Sequence, residues 1–197
     1  QPSPRQVLKA QVDRAAALGY VPMMASELEF YLLREPFQEA WAKRYQELTP
    51  SVPYILDYHV LASTYDEGLI RQIRNGMHGA GIPVETSKGE AWPGQHEINF
   101  RFADALTMAD NHVVYKNGAK ELAHLNGCSI TFMAKPDHSW TGSSGHLHMS
   151  VWNEDGAQSL THDDKSKRPY GMSDTMAWFM AGMMQLSREL AIFIAPN

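Results

Sequence analysis

An α+β fold with a largely antiparallel sheet is the fold class that this 197-residue sequence predicts. Several short segments alternate apolar and polar side chains, as strands with one buried face do. Other segments repeat their apolar residues at helical spacing. The two kinds are interleaved without the strict strand–helix–strand rhythm of a doubly wound sheet, which favours an antiparallel arrangement.

The first helix is predicted from its two ends. Ser3 offers a capping hydroxyl, and Pro4 follows where a missing N–H costs nothing. Gly19 ends the helix, because glycine readily adopts the left-handed conformation found after a helix C-terminus. Four further helices are predicted at 37–48, 65–80, 105–125 and, after the cap Ser173, 176–194.

Strands are predicted where apolar and polar residues alternate between turns, at 22–33, 95–102, 129–135 and 146–152. The apolar stretch 176–194 differs, because Gln185, Arg188 and Glu189 interrupt it. A bilayer span needs about 20 mostly apolar residues. This stretch is therefore predicted to be a buried helix, and we expect no membrane association.

Composition favours a cytoplasmic protein that does not bind nucleic acid. The net charge is −5, so the chain offers no basic surface for a phosphate backbone. Its single cysteine, Cys128, excludes an internal disulfide framework and fits a reducing compartment. The first twenty residues lack the long apolar run of a secretory signal peptide.

Two pairs of glutamates are candidate metal ligands. Glu27 and Glu29 share one face of a predicted strand, roughly 7 Å apart. Glu90 and Glu97 flank a Pro-Gly turn, so a turn followed by a strand can bring them to one cation. Mg²⁺ and Mn²⁺ prefer such oxygen ligands. Each pair alone is also compatible with a solvated strand face or an exposed loop.

A third pattern, G-S-S-G-H-L-H, places two imidazoles on one strand face. His146 and His148 point the same way, and the glycines before them allow a ligand to approach the backbone. Paired imidazoles are typical of zinc sites, but the neighbouring acids and the absence of cysteine ligands favour Mg²⁺ or Mn²⁺. Alone, the pattern also fits an exposed strand.

Together, these motifs resemble the glutamine synthetase family. The E-x-E strand, the E-x6-E element ending in P-G-Q-H-E, and the T-F-M-A-K-P segment leading to G-x-x-x-H-x-H occur in the family's order, over essentially all 197 residues. The resemblance implies a curved, largely antiparallel sheet with helices outside, as in glutamine synthetase and guanidino kinase catalytic domains. It also implies that residues 1–197 are a partial catalytic domain, without the N-terminal β-grasp domain or the C-terminal part.

The resemblance implies an ATP-dependent ligase. The γ-carboxylate of glutamate attacks ATP to give a γ-glutamyl phosphate, and ammonia then displaces phosphate, with two or three Mg²⁺ or Mn²⁺ ions per site. The whole protein is expected to form stacked rings, and this chain alone is expected to be inactive. The alternatives are a ligase for polyamines or other amines and a non-catalytic structural relative. A guanidino kinase lacks this carboxylate pattern.

The resemblance also implies roles for individual residues. The expected metal ligands form two groups: Glu29, Glu90 and Glu97 for a structural ion, and Glu27 with His146 for the ion on the ATP phosphates. The expected catalytic residues are Glu90 and His148, of which His148 contacts the transferred phosphoryl group. The expected nucleotide-pocket residues are Glu85, Phe102 and Ser150. The expected substrate contacts are Thr141, Gly142 and, through a looser alignment, Tyr58.

Two positions depart from the family pattern. Thr141 stands where glutamine synthetases typically carry an asparagine that binds the amino-acid end of glutamate. Lys88-Gly89 replaces the pair of histidines that often precedes Glu90. Neither change removes an expected metal ligand, so they bear on the choice of substrate rather than on the chemistry.

Overall fold

The computed structural model of the chain describes residues 3–55 and 57–194, without the side chain of residue 62. Within these residues the helices are α1 Pro4–Ala17, α2 Phe37–Ala42, α3 Val60–Ser63, α4 Glu67–Gly79, α5 Ala105–Leu125, α6 Asp174–Gln185 and α7 Ser187–Ile194. The strands are β1 Val21–Leu33, β2 Val84–Gly89, β3 Gln95–Phe100, β4 Ala103–Asp104, β5 Ser129–Thr131 and β6 Gly145–Trp152.

The six strands form one sheet in which β1 is the central member. The order is β2-β3-β1-β4, and β5 and β6 also pair with β1. The pairs β1–β3, β1–β5 and β2–β3 are antiparallel. The predicted α+β fold with a largely antiparallel sheet is therefore confirmed.

The chain divides into two compact units, which are described separately. Residues 24–148 form the larger unit, and the segments before and after them form the other. In the larger unit, one apolar cluster joins the sheet to helices α4 and α5. Its most buried members include Phe30, Ile73, Ile98, Tyr115 and Ala119. This core fixes the positions of β1 and β3, which carry most of the candidate site.

The predicted helix ends of α1 and α5 are confirmed. The hydroxyl of Ser3 accepts a hydrogen bond from the Gln6 amide, and Gly19 has a φ of +80° just after the C-cap. Helix α5 has the predicted bounds, and Asp104 caps its first turn by accepting from the Leu106 and Thr107 amides. These ends follow local rules, which explains why the sequence predicted them.

Several elements are shorter than predicted. Helix α2 ends at Ala42 rather than near residue 48, because Arg44, Tyr45 and Glu47 adopt positive φ values. Strand β3 ends at Phe100 and β5 at Thr131. Strand β2 was not predicted at all, since its sequence V-E-T-S-K-G has no clear apolar alternation.

The prediction that 176–194 is one buried helix is wrong for the described chain. The stretch forms two helices, α6 and α7, and neither contains a buried residue. Trp178 is 70% exposed, Met184 74% and Phe193 81%. Apolar composition predicts burial only where another layer covers the helix, and the described part of this unit does not cover it. In the part of the chain that the structure describes, no helix combines the length and apolarity needed for a membrane span.

Candidate metal and substrate site

Three glutamates converge on one face of the larger unit. Glu29 on β1 and Glu97 on β3 are opposite one another in the antiparallel register. Glu90 follows β2 directly, and its amide donates to the Gln95 carbonyl at the start of β3, so the connection is tight. One carboxylate oxygen from each glutamate lies within 4.8 Å of the other two. The structure thus brings together the three residues expected to be ligands of one ion.

The turn between Glu90 and Glu97 depends on Gly94. This residue has a φ of +70°, a conformation that L side chains rarely adopt. A Cβ atom there would lie 2.8 Å from the Leu32 carbonyl oxygen and 3.0 Å from the Ser51 amide. The Gly94 carbonyl in turn accepts a hydrogen bond from the Leu32 amide at 2.8 Å. The glycine lets the turn pack directly against the main chain of β1.

Glu29 is oriented by donors from two segments. Its Oε2 accepts from Gln95 Nε2 at 3.0 Å and from the Ser144 amide at 3.1 Å. The Ser144 hydroxyl also donates to Glu29 Oε1. Gln95 Nε2 contacts the Gly142 carbonyl oxygen at 3.1 Å as well, so one amide links Glu29 to the glycine-rich segment. Sequence reasoning missed Gln95 and Ser144, although both lie inside the motifs it singled out.

Glu97 is the most deeply buried of the three, with 2% of its side chain exposed. Burial raises its pKa above the ordinary value, and the charge of Glu27 adds to that rise, while Asn99 and Lys88 oppose it. Asn99 donates to Glu97 Oε1 at 3.0 Å. A buried carboxylate that resists ionisation beside two others is stabilised by a nearby cation.

The three carboxylates fit a hard divalent cation. Glu90 Oε1 is buried, and the ammonium of Lys88 lies 2.6 Å from it. A buried carboxylate oxygen needs a cation or a hydrogen-bond donor as its partner. The donor set of the cluster is entirely carboxylate oxygen, which suits Mg²⁺ or Mn²⁺ better than a softer metal. Its role as a metal site stays a prediction.

Lys88 lies at the edge of this cluster, a position that sequence reasoning did not foresee. Its Nζ is 2.6 Å from Glu90 Oε1, at ion-pair distance, and 3.2 Å from Glu97 Oε1. It also donates to the Tyr58 hydroxyl at 3.0 Å. Partial burial lowers the pKa of Lys88, but its contacts with Glu90, Tyr58 and Glu97 outweigh this and raise it above the ordinary value.

A second group forms around Glu27. Its two carboxylate oxygens contact His146 Nδ1 at 2.6 Å and His148 Nε2 at 2.9 Å. The hydrogen bond with His146 lowers the pKa of Glu27 and raises that of His146. Both imidazoles are more than half exposed. One carboxylate therefore orients two rings and leaves the other nitrogen of each ring available.

The residues expected at the nucleotide pocket are more scattered. Glu85 is exposed on β2. Phe102 lies beyond the end of β3 and is 58% exposed. Ser150 belongs to the other unit, where its hydroxyl accepts from Trp152 Nε1 at 2.9 Å. The nucleotide roles of these three residues stay a prediction.

The residues expected at the substrate lie on two loops. The Thr141 carbonyl oxygen accepts a hydrogen bond from the Tyr31 hydroxyl, and the Gly142 carbonyl accepts from Gln95. Tyr58 is 71% exposed and reaches the cluster through Lys88. The main chain of Thr141 and Gly142 is thus anchored to the sheet that carries the glutamates. Their substrate contacts stay a prediction.

The fold and this cluster define an α+β domain whose sheet presents a carboxylate-rich site, the class to which glutamine-synthetase-like catalytic domains belong. The family described as "Glutamine synthetase, catalytic domain" matches residues 1–197, and the chain belongs to this family. The resemblance inferred from the motifs is therefore confirmed.

Three curated relatives are named as synthetases or ligases. The chain is 44% identical over 195 residues to gamma-glutamylethanolamide synthetase GlnA4 of Streptomyces coelicolor, covering 99% of this chain and 41% of that protein. It is 36% identical over 195 residues to a glutamate–isopropylamine ligase of a Pseudomonas species, covering 99% and 42%. It is 32% identical over 198 residues to the glutamine synthetase of Thermotoga maritima, covering 98% and 42%. The chain thus spans about two fifths of the length of each.

Solved structures agree with the fold. GmaS without ligand is 28% identical to the chain, with a TM-score of 0.84 over 100% of this chain and 44% of that one. A glutamine synthase homologue described as novel has a TM-score of 0.84 over 100% of this chain and 42% of its own, at 23% identity. At that identity the likeness shows the fold alone.

Proposed function

We propose that this chain forms part of the catalytic domain of an ATP-dependent ligase that joins a primary alkylamine to the γ-carboxylate of glutamate. The observation that carries this proposal is the identity to two relatives named for alkylamine substrates, 44% and 36%. Identity to a glutamine synthetase is 32%, so ligation of ammonia is the second candidate.

In this proposal two sets of side chains hold divalent ions. Glu29, Glu90 and Glu97 would hold one Mg²⁺ or Mn²⁺ ion, and Glu27 with His146 another. Bound there, such ions supply positive charge that neutralises phosphate oxygens. The support for this assignment is the set of converging carboxylate oxygens of Glu29, Glu90 and Glu97.

The chain's own residues position the reacting groups. Glu27 accepts from Nε2–H of His148, and this contact fixes the ring while leaving Nδ1 outside it. As an imidazolium, the ring donates from Nδ1–H to a phosphoryl oxygen. Gln95 holds the Gly142 main chain beside Glu29, and this places the substrate loop against the cluster. Glu90 and Tyr58 are linked through Lys88, and we assign the amine to this end of the site.

The proposed reaction has two steps. An oxygen of the glutamate γ-carboxylate attacks the terminal phosphorus of ATP, and the bond to ADP breaks. The amine nitrogen then attacks the acyl carbon of the γ-glutamyl phosphate, the carbon–oxygen bond to phosphate breaks, and the amine loses a proton to a neighbouring base. Because the protein mainly positions groups and neutralises charge, its polar side chains matter more than any nucleophile of its own.

Amine-dependent phosphate release tests the proposal. The intact protein is assayed with ATP and glutamate plus ethanolamine, isopropylamine or ammonia, and the products are identified by mass spectrometry. We expect a higher kcat/KM for an alkylamine than for ammonia, and a loss of activity in Glu97→Gln. A preference for ammonia would favour the second candidate, and no turnover with any amine would favour a non-catalytic relative.

We also propose that the intact protein assembles from several copies in a ring, as the family resemblance implies. The exposed apolar side chains of α6 and α7 support a contact with further protein, because covering them would remove apolar surface from water. Light scattering of the intact protein measures the assembly, and a monomer would contradict the proposal.

A further inference from the structure

Strand pairing places Lys88 beside the three glutamates. The antiparallel register of β2 and β3 sets Lys88 opposite Glu97, and the register of β3 and β1 sets Glu97 opposite Glu29. One ammonium and two carboxylates therefore form a row across three adjacent strands. Opposed residues in antiparallel strands have Cβ atoms about 4.5–5.5 Å apart, so the backbone itself builds this row.

The ammonium of Lys88 makes close contacts with two carboxylates that are shielded from solvent. Its Nζ lies 2.6 Å from Glu90 Oε1 and 3.2 Å from Glu97 Oε1, and 4.8 Å from the centre of the Tyr58 ring. Exposed ion pairs contribute little, because water screens them. Here the Glu90 side chain is only 13% exposed and that of Glu97 2%, so screening is weak.

We propose that Lys88 is a built-in counter-ion of the cluster, which holds its carboxylates together without a divalent cation and competes with that cation for them. The inference rests on the proposed function of the cluster as a divalent-cation site. Two positive charges that share the same carboxylates repel one another, so the lysine weakens metal binding. The lysine also relieves repulsion among the carboxylates when the metal is absent, so the fold depends less on the metal.

Manganese binding to the intact protein and to Lys88→Met tests the inference. Methionine keeps an unbranched apolar stem and removes the charge. Free Mn²⁺ is followed by its electron paramagnetic resonance signal, and the cluster site is defined as the binding that Glu97→Gln abolishes. We expect Lys88→Met to bind Mn²⁺ at this site at least about tenfold more tightly, and to melt at a lower temperature in chelator.

Lys43→Met is a matched control. It removes a lysine whose Nζ lies 2.8 Å from Glu35 Oε1, a carboxylate with 4% of its side chain exposed. We expect it to lower stability to a similar degree while leaving Mn²⁺ affinity unchanged. An equal change in Mn²⁺ affinity in both variants would show a general effect of lost charge or stability. It would overturn a specific role for Lys88.

The remaining outcomes also decide the question. Mn²⁺ binding at the cluster that is unchanged or weaker in Lys88→Met overturns the inference alone. If neither the wild-type protein nor Lys88→Met shows Mn²⁺ binding that Glu97→Gln abolishes, the metal site and the inference are both overturned. A variant that folds only in Mn²⁺ supports it, because metal then replaces the missing charge. A variant that fails to fold even in Mn²⁺ overturns it.

Discussion

Glu29 and Glu97 are directly opposed in the register of β1 and β3, so two carboxylates share one cross-strand position in a buried setting. Like charges placed this way destabilise a sheet. The donors around Glu29 and the ammonium of Lys88 offset part of that cost. A cation placed between the two carboxylates would offset their repulsion directly.

Mn²⁺ is therefore expected to stabilise the intact protein, and Glu97→Gln to remove most of that effect. A ligand that binds only the folded state adds about 2.7 kcal/mol at a hundredfold excess over its Kd. Thermal melts in chelator and in millimolar Mn²⁺ measure the difference. Glu121→Gln is the control, because this exposed carboxylate on α5 lies outside the cluster. An equal rise in all three proteins would contradict the prediction.

Gly94→Ala is expected to destabilise the protein by on the order of 2–3 kcal/mol. The new methyl group would meet the Leu32 carbonyl oxygen at 2.8 Å, in a backbone conformation that alanine rarely adopts. Chemical denaturation measures the loss. Gly79→Ala at the end of α4 is the matched control, since nothing lies within 4 Å of its added Cβ. Comparable stability of both variants would show that the Gly94 turn can relax.

Acid should weaken the fold partly through Glu35. Burial favours a raised pKa, but hydrogen bonds from Lys43 and Thr49 outweigh it and lower the pKa from 4.5 to about 2. A carboxyl whose pKa is lower in the folded protein than in the unfolded chain stabilises the fold at pH values above its unfolded pKa. That contribution, about 3 kcal/mol, is lost as pH falls from about 4.5 towards 2.

Glu35→Gln is accordingly expected to be less stable at pH 7 and to lose less stability between pH 5 and pH 2. Urea denaturation across this range gives the comparison. Glu39→Gln is the control, because Glu39 also pairs with Lys43, at 3.3 Å, but is 54% exposed. If the wild-type and Glu35→Gln curves stay parallel below pH 5, the pKa of Glu35 is not lowered.

Thr141→Asn is expected to lower the KM for glutamate. An asparagine amide offers a donor and an acceptor to the charged end of an amino acid, whereas threonine offers one hydroxyl. An unpaired polar group in a substrate site costs about 1–3 kcal/mol. Steady-state kinetics with glutamate varied at saturating ATP measure the change in the intact protein. An unchanged or raised KM would remove Thr141 from the glutamate site, and unchanged Mn²⁺ affinity would exclude an indirect effect.

The sequence predicted those helix ends and strand faces that local residue patterns determine. The ends of α1 and α5 follow from capping residues and glycines, and the alternation around Glu27 and Glu97 predicted the faces of β1 and β3. The approach of Glu90 to Glu97 was also foreseeable, because a tight Pro-Gly turn separates them.

What the sequence missed depends on how separate segments of the chain pair with one another. Lys88 reaches the cluster only because β2 pairs with β3 in one register, and β2 has no alternation that marks it as a strand. Gln95 contacts the Gly142 segment 47 residues away. The predicted burial of α6 is wrong for a related reason, since composition alone does not reveal what packs on a helix.

The Tyr31 hydroxyl holds the loop at residue 141 through its carbonyl oxygen, not through its side chain. Every amino acid has that carbonyl, so the anchor survives any exchange of side chain at this position that preserves the main-chain path. If residue 141 contacts the substrate, as we propose, a single substitution there can change that contact while the loop keeps its anchor on the sheet.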